Sequence, residues 1–263
     1  MNLGNKKFVS IIFPSRDRLD LLKQLLMSIE NNTYNLKWIE VICICDQDDK
    51  ATIDLLTEIS QKISFDFYFI VRKKQNTINL PNDYYKFLLK LKSDSYITWC
   101  LGNDTEIITK NWDINLYFYL INNIPEFFSD IDNNKYYYYF TINDNSHWSA
   151  SGNIQPENDQ SCCFPLISDN YCKDAGEIFP SEYPTWKGDT MLHSLMSSSP
   201  RCKLIMINDV IEIQHYTYHT KTYEKDQIAN GIERSFMDSQ HITDYINIEQ
   251  LLNNRPFLKQ IHE

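Results

Sequence analysis

The chain has 263 residues, room for one large domain or two small ones, and its 43% hydrophobic and 23% charged residues are those of an ordinary globular protein. A net charge of −10 without any long basic run argues against nucleic acid or an anionic lipid surface as partner. No apolar run approaches the ~20 residues of a membrane span, and the one before Pro14 is too short for a signal peptide, so a cytoplasmic protein is expected.

The seven cysteines are odd in number and form no C-x-x-C pair. A structural zinc site needs paired ligands at short spacing, so reduced, mostly buried thiols are expected.

Four apolar, β-rich runs occupy the first hundred residues: Phe8–Phe13, Trp38–Cys45, Phe65–Val71 and Tyr96–Leu101. Helical periodicity fills the gaps. Leu22, Leu25, Leu26 and Ile29 share one face, and Ile53, Leu55, Leu56 and Ile59 do much the same. Tyr84, Phe87, Leu88 and Leu91 make a third face behind Pro81, a residue suited to a first helical turn. Strand alternating with helix predicts βαβ units and a mostly parallel sheet with helices on both faces.

Ligands of open α/β sheets bind beyond the carboxyl ends of the strands. Each of these four runs ends in a polar, charged cluster: Pro14-Ser15-Arg16-Asp17-Arg18, Asp46-Gln47-Asp48-Asp49, Arg72-Lys73-Lys74-Gln75-Asn76, and Gly102-Asn103-Asp104-Thr105-Glu106. If the sheet is right, all four lie along one rim and favour a polar ligand over unrelated solvated turns. With six glycines and neither G-x-G-x-x-G nor a P-loop, a phosphate bound there needs a metal and cationic side chains. Hard divalent cations prefer carboxylate oxygen, and a carboxylate at a strand tip is held rigidly.

Beyond Asn111 the pattern loosens. Trp112–Ile124 reads as a helix and Lys135–Ile142 as a strand; Asn143–Pro184 reads as long loops around a short element at Phe164–Ile167. Thr185–Met196 has a helical face, Lys203–His215 reads as a strand pair or one bent strand, and the last forty or so residues as helices with a charged tail.

The order of these motifs resembles family-two-like glycosyltransferases of the GT-A fold. "VSIIFPSRDRLDLLKQLLMSI" is similar to their opening strand, Pro-Ser/Thr, Arg and helix, and "IEVICICDQDD" to the second strand with its acidic end. "YITWCLGNDTEIITKNWD" resembles the D-x-D region, "WKGDTMLHSLM" the later acidic motif and "VIEIQHYTYH" the closing strand. The resemblance spans roughly residues 8 to 220. It implies a single GT-A-like catalytic domain over residues 1–225, with a nucleotide-sugar-binding half at 1–106, an acceptor-binding half at 107–225, and a C-terminal helical extension at 226–263.

It further implies metal-dependent transfer of a sugar from a nucleotide-diphosphate sugar to a glycan, glycolipid or other hydroxyl acceptor, with inversion and with Mn2+ or Mg2+ as cofactor. Pro14, Ser15, Arg16, Asp46, Asp48, Arg72 and Asn103 are then the donor-nucleotide contacts, Asp104 and His215 the metal ligands, and Asp189 the catalytic base. Glu106, Trp186 and His219 are further candidates. An acceptor on a membrane would bring the protein to that surface without an anchor. The first acid of D-x-D falls on Gly102, a departure from the family pattern.

Bland readings stand beside these roles. Arg16 and Arg72 are equally suited to pairing with the neighbouring acids, Asp48 and Asp49 to capping a helix (the better reading for Asp49), and Asp189 to an N-cap. Two other functions fit the same pattern: a non-catalytic nucleotide-sugar or glycan binder of the same fold and, with less support, a nucleotidyltransferase, whose glycine-rich loop is missing from FPSRDRLD.

Overall fold

Strand β1 (Lys7–Ser15) runs through the middle of the sheet with every residue from Phe8 to Phe13 buried. Val9, Ile11 and Phe13 point to one apolar cluster and Ile12 to another, so the strand is sandwiched between helices, as a run apolar at every position but Ser10 requires. The computed structural model describes residues 4–73, 80–145, 163–182, 188–216 and 248–259.

After β1 come α1 (Leu19–Asn32), β2 (Ile39–Asp46), α2 (Lys50–Ile59), β3 (Asp66–Arg72), α3 (Leu80–Leu89) and β4 (Ser95–Cys100), the predicted alternation. Then follow β5 (Thr105–Ile107), α4 (Trp112–Asn123), α5 (Phe127–Asp132), β6 (Tyr137–Thr141), β7 (Leu166–Ser168), α6 (Asp169–Ala175), α7 (Gly188–Ser197), β8 (Cys202–Met206), β9 (Ile213–His215) and α8 (Ile248–Asn253). The seven-stranded sheet has the order β3-β2-β1-β4-β7-β6-β8; β7 runs antiparallel to both its neighbours and the other pairings are parallel. Strands β5 and β9 form a separate two-stranded ribbon.

One face of the sheet carries α1, α2, α4 and α5 through Leu22, Leu25, Leu56, Trp112, Leu116 and Phe127. The other carries α3, α6, α7 and α8 through Tyr84, Leu88, Tyr171, Leu192, Leu195 and Leu251. The aromatic run of β6 alternates between them, Tyr138 and Phe140 to the first and Tyr137 and Tyr139 to the second. The described cysteines are free thiols, and Cys43, Cys45, Cys100 and Cys172 are buried.

The second half departs from the sequence reading in two places. The stretch expected to be loops holds α6, whose first residue, Asp169, is fully buried against Lys92 and accepts from the Thr98 hydroxyl at 2.9 Å. Tertiary ion pairing of this kind stabilises a short helix that shows no periodicity of its own. The expected strand pair or bent strand at 203–215 is two strands in two different sheets, because the chain leaves the main sheet after Met206 and returns beside β5.

The segment 248–259 packs Leu251 and Leu258 into the second cluster. Fully buried Arg201 donates to the carbonyls of Phe257 (2.9 Å), Lys135 (3.2 Å) and Asn134. Arg255 is held by Glu177 and, at 2.7 Å, by Glu182.

Candidate functional site

The strand order turns outward in both directions from β1 and β4, whose carboxyl ends therefore flank the crevice where such sheets bind ligands. Three registers fix what meets there. Ile12 lies opposite Cys100, so that three residues on Ser15 stands beside Asn103, whose Nδ2 donates to Ser15 Oγ at 3.2 Å. Ser15 lies opposite Cys45, which brings Arg16 to Asp46. Asp46 in turn lies opposite Arg72. The rim therefore reads Arg72, Asp46, Arg16, Asn103 and Asp104 across neighbouring strands.

The turn after β1 is strained and firmly held. Asp17 and Arg18 both adopt left-handed backbone, φ 52° and 55°, which side-chain-bearing residues rarely do. The Asp17 amide donates to Asp49 Oδ2 at 2.7 Å, and Asn103 Nδ2 reaches the Arg16 and Asp17 carbonyls at 3.4 Å. The next strand ends thus hold a conformation that would otherwise relax. Asp49 also caps α2 through the Thr52 amide at 3.1 Å, the structural role expected of it.

Asp46 is almost wholly buried. It accepts from the Tyr84 hydroxyl and, at 2.8 Å, from Arg16. Burial, with the bond to Asp46, pushes the Tyr84 phenol well above its ordinary value, so it stays a donor. Arg16 also grips Asp48 through two bonds of 2.7 and 3.0 Å. Arg72 lies over the rings of Phe87 and Tyr84, 5.0 and 5.8 Å from their centroids. Arg16 thus pairs with acids of the rim, as its bland reading anticipated, while Arg72 packs on aromatic faces. Pro14 and Ser15 are the last two residues of β1, beneath this cluster.

Asp104 faces two groups. Its Oδ2 accepts from Arg18 and lies 3.8 Å from His215 Nε2, because β9 pairs with β5 and sets His215 opposite Thr105. Burial pushes the Asp104 carboxyl up, but its interactions with His215 and the charge of Arg18 outweigh that and leave it below its ordinary value. His215 Nδ1 is buried without a hydrogen-bond partner, and the ring sits edge-on to Phe164 at 4.7 Å.

Phe164 also explains Gly102. A Cβ at Gly102 would lie 3.3 Å from the Phe164 ring and would collide with the Asp104 carboxylate itself. The position expected to carry the first acid of a D-x-D motif is therefore filled by the folded-back side chain of Asp104. Glu106 is drawn elsewhere: its Oε2 accepts from Gln24 at 2.5 Å and from the Tyr216 hydroxyl at 2.6 Å.

Among the described residues no three His, Cys, Asp or Glu side chains gather as a metal cluster. Asp104 and His215 do fit a divalent cation as a pair. A hard cation of the Mn2+ or Mg2+ type uses one or two protein ligands and completes its shell with phosphate oxygens and water. The unpartnered imidazole nitrogen leaves that ring without a competing tether.

Asp189, the second residue of α7, accepts from the Thr190 amide at 2.8 Å. Burial raises its carboxyl from an ordinary 3.8 to about 6, against the pull of the Thr190 amide and the Cys163 thiol and with a further push from Asp144. Asp144 in turn accepts from the Cys163 amide at 2.8 Å. Cys163 is the chain neighbour of Phe164, which touches both Gly102 and His215, so Asp189 belongs to the same locality as Asp104. A carboxyl poised near neutrality suits a proton acceptor. Trp186 and His219 lie outside the described residues.

Sequence reasoning missed Arg18, Tyr84 and the Cys163–Asp144 support. Tyr84 left a signal, since a buried tyrosine hydroxyl seeks a partner and Asp46 is the acid nearest α3 on the rim. Arg18 left none, because only the left-handed turn distinguishes it from Arg16.

No family model matches the chain, and no curated protein matches it. Solved structures do. Mannosyltransferase PcManGT from Pyrobaculum calidifontis, in complex with GDP-Man and Mn2+, superposes with a TM-score of 0.55 at 11% identity, covering 81% of this chain and 57% of that one. S. aureus TarS 1-349 in complex with UDP-GlcNAc gives 0.53 at 14% identity, covering 95% and 72%. GalNAc-T7 with UDP, GalNAc and Mn2+ gives 0.51 at 9% identity, covering 80% and 43%. The chain thus spans little more than half of the mannosyltransferase it matches. Identities this low speak for the fold, and the fold is GT-A: a mixed, mostly parallel sheet with helices on both faces. No helix among the described residues is long and apolar enough to cross a membrane.

Proposed function

We propose that the chain is a glycosyltransferase that moves a sugar from a nucleoside diphosphate sugar to a hydroxyl of a glycan, glycolipid or other acceptor, with inversion at the anomeric carbon and with Mn2+ or Mg2+. The observation that carries this reading is the convergence of Asp104, His215 and Arg18 at the β1/β4 crevice, flanked by the Asp46–Arg16–Arg72 row and by Asp189. The solved structures of like fold, described with GDP-Man, UDP-GlcNAc and UDP, support a nucleotide-sugar donor.

In this reading the nucleoside lies along the Asp46 end, where a buried carboxylate and the Phe87–Tyr84–Arg72 stack offer a hydrogen-bond acceptor and a flat surface. Asn103, Ser15 and Pro14 shape the floor beneath it. The diphosphate lies at the Asp104 end, where Asp104 and His215 would hold a divalent cation, and its positive charge would favour a departing phosphate. Asp189 takes the proton from the acceptor hydroxyl as that oxygen attacks the anomeric carbon. The donor half is residues 1–106 and the acceptor half 107–225, with an acceptor on a membrane drawing the protein to its surface.

Calorimetric titration with UDP, GDP and dTDP sugars, with and without Mn2+, tests the reading on the wild type and Asp104→Ala. Metal-dependent binding of one nucleotide, lost in the variant, is expected. A folded protein that binds none of them refutes it. Donor binding with no transfer to any acceptor, and no donor hydrolysis, marks a non-catalytic binder instead.

A further inference from the structure

Strand β3 closes one side of the main sheet, and among the described residues it pairs with β2 alone. The ladder fixes which of its backbone groups are used. The Arg72 carbonyl accepts from the Gln47 amide at 2.7 Å, so Arg72 turns toward β2. In a parallel pair the amide and carbonyl of one residue point the same way, and those of the next residue point the opposite way. Tyr68 and Ile70 therefore also turn toward β2, whereas Phe67, Phe69 and Val71 turn their amides and carbonyls outward from the sheet.

Natural edge strands are commonly blunted by a proline, a bulge or a charge in mid-strand. Strand β3 has none of these. Its register with β2 is unbroken from Asp66 to Arg72, and the residues between those two are Phe, Tyr, Phe, Ile and Val. Tyr68 and Val71 are 56% and 43% exposed. The charges of the strand stand at its two ends: Asp66, whose side chain is 54% exposed beside Lys7, and Arg72, over the rings of Phe87 and Tyr84.

We propose that β3 pairs antiparallel with β3 of a second copy of this chain, about a two-fold axis at Phe69. The strand is its own complement in that arrangement. Phe69 faces the partner's Phe69, Phe67 the partner's Val71, Tyr68 the partner's Ile70 and Asp66 the partner's Arg72. Residues directly opposite share a face, so acid and base meet at both ends. Phe67, Phe69 and Val71, the residues with outward backbone groups, become the hydrogen-bonded pairs of the new ladder, and every outward amide and carbonyl among them is used. Parallel, in-register pairing would instead oppose like charges. Exposed ion pairs of this kind add little affinity; they select orientation and register. The two carboxyl-end rims would then open in opposite directions. The inference does not depend on the chemistry proposed for them.

Sedimentation equilibrium on the full chain tests it. The wild type at micromolar concentration should show twice the 31.2 kDa of one chain. Val71→Pro removes an outward amide and leaves the bonds to β2 in place, and proline is tolerated on such an edge, so this variant should be folded and monomeric. Asp66→Arg and Arg72→Asp each oppose like charges at both ends, and each should weaken its own dimer at least about tenfold. Mixed together, these two variants set arginine against aspartate at both ends and should associate about as tightly as the wild type. Circular dichroism checks each fold, and the charge variants decide the matter if Val71→Pro does not fold. A monomeric wild type overturns the inference, as does a dimer that Val71→Pro leaves intact. A dimer indifferent to both charge variants, or a mixture that associates no better than its components, overturns the antiparallel register.

Discussion

Asp189→Asn should make the protein more stable at neutral pH while abolishing its proposed catalysis. The carboxyl stands at about 6 in the folded chain against an ordinary 3.8, principally because it is buried. Between those values the folded state holds the proton more tightly than the unfolded state does. Stability therefore falls as pH rises from about 4 through about 6 and is level beyond, by at most about 3 kcal/mol at about 1.4 kcal/mol per pH unit, because the side chain is only partly buried and solvent screens part of the effect. Asparagine keeps the shape and the acceptor for the Thr190 amide but carries no charge to desolvate. Urea unfolding of both proteins from pH 4 to 8 measures the effect. The stability advantage of Asp189→Asn should grow across that range by about 1 to 3 kcal/mol, with its midpoint between the two pKa values. Over the same range transfer by the wild type should rise with pH about a midpoint near 6, since the base acts deprotonated. A stability difference that does not change with pH would show that Asp189 is not held protonated by its surroundings and would remove the physical ground for choosing it as the base.

Two further substitutions test the supports of the site. Gly102→Ala places a methyl group against the Asp104 carboxylate and 3.3 Å from Phe164, so the carboxylate must swing away from Arg18 and His215. Affinity for Mn2+ with nucleotide should fall at least about tenfold, a loss of about 1.4 kcal/mol, while the melting temperature moves by only about 10 °C or less; unchanged affinity would mean that Asp104 does not need its present rotamer. Arg255→Ala strands Glu177 and Glu182 and should cost about 3 kcal/mol in urea unfolding at pH 7. Burial pushes Glu182 up, but Arg255 pulls it below its ordinary 4.5, so this contribution is present at neutral pH and fades as pH falls below that value. A gap between Arg255→Ala and wild type that does not narrow at pH 3.5 would contradict the assignment.

The first hundred residues were legible because each element there has a local signature. Apolar runs of six to eight residues marked β1 to β4, and apolar residues recurring about every three or four positions marked α1 to α3. The rim followed from topology alone, since parallel strands joined by helices place all their carboxyl ends at one edge. What failed was whatever depends on a distant partner. Helix α6 rests on Lys92 and Thr98, more than seventy residues away in sequence. Strand β9 finds β5 across more than a hundred, so the chain from 203 to 215 gave no sign of changing sheets. Side-chain aim failed for the same reason. Asp104 and Glu106 have the same parity, yet Gln24 on α1 and Tyr216 after β9 draw Glu106 into a cluster of its own.

The acidic balance of the chain bears directly on how an anionic donor is received. A chain of net charge −10 is a poor partner for a free diphosphate at long range. The cations of its rim already face acids: Arg16 answers Asp46 and Asp48, Arg18 answers Asp104, and Arg72 lies beside Asp46 in the register. A bare nucleotide would add negative charge beside Asp46, Asp48 and Asp104, and a bare divalent ion would add positive charge beside a carboxylate that Arg18 already meets. The two together disturb the balance less than either alone. Under the proposed function this balance suits a metal–nucleotide pair as the species received, and Asp104 with His215 would suit a cation that brings its remaining oxygen ligands from the donor.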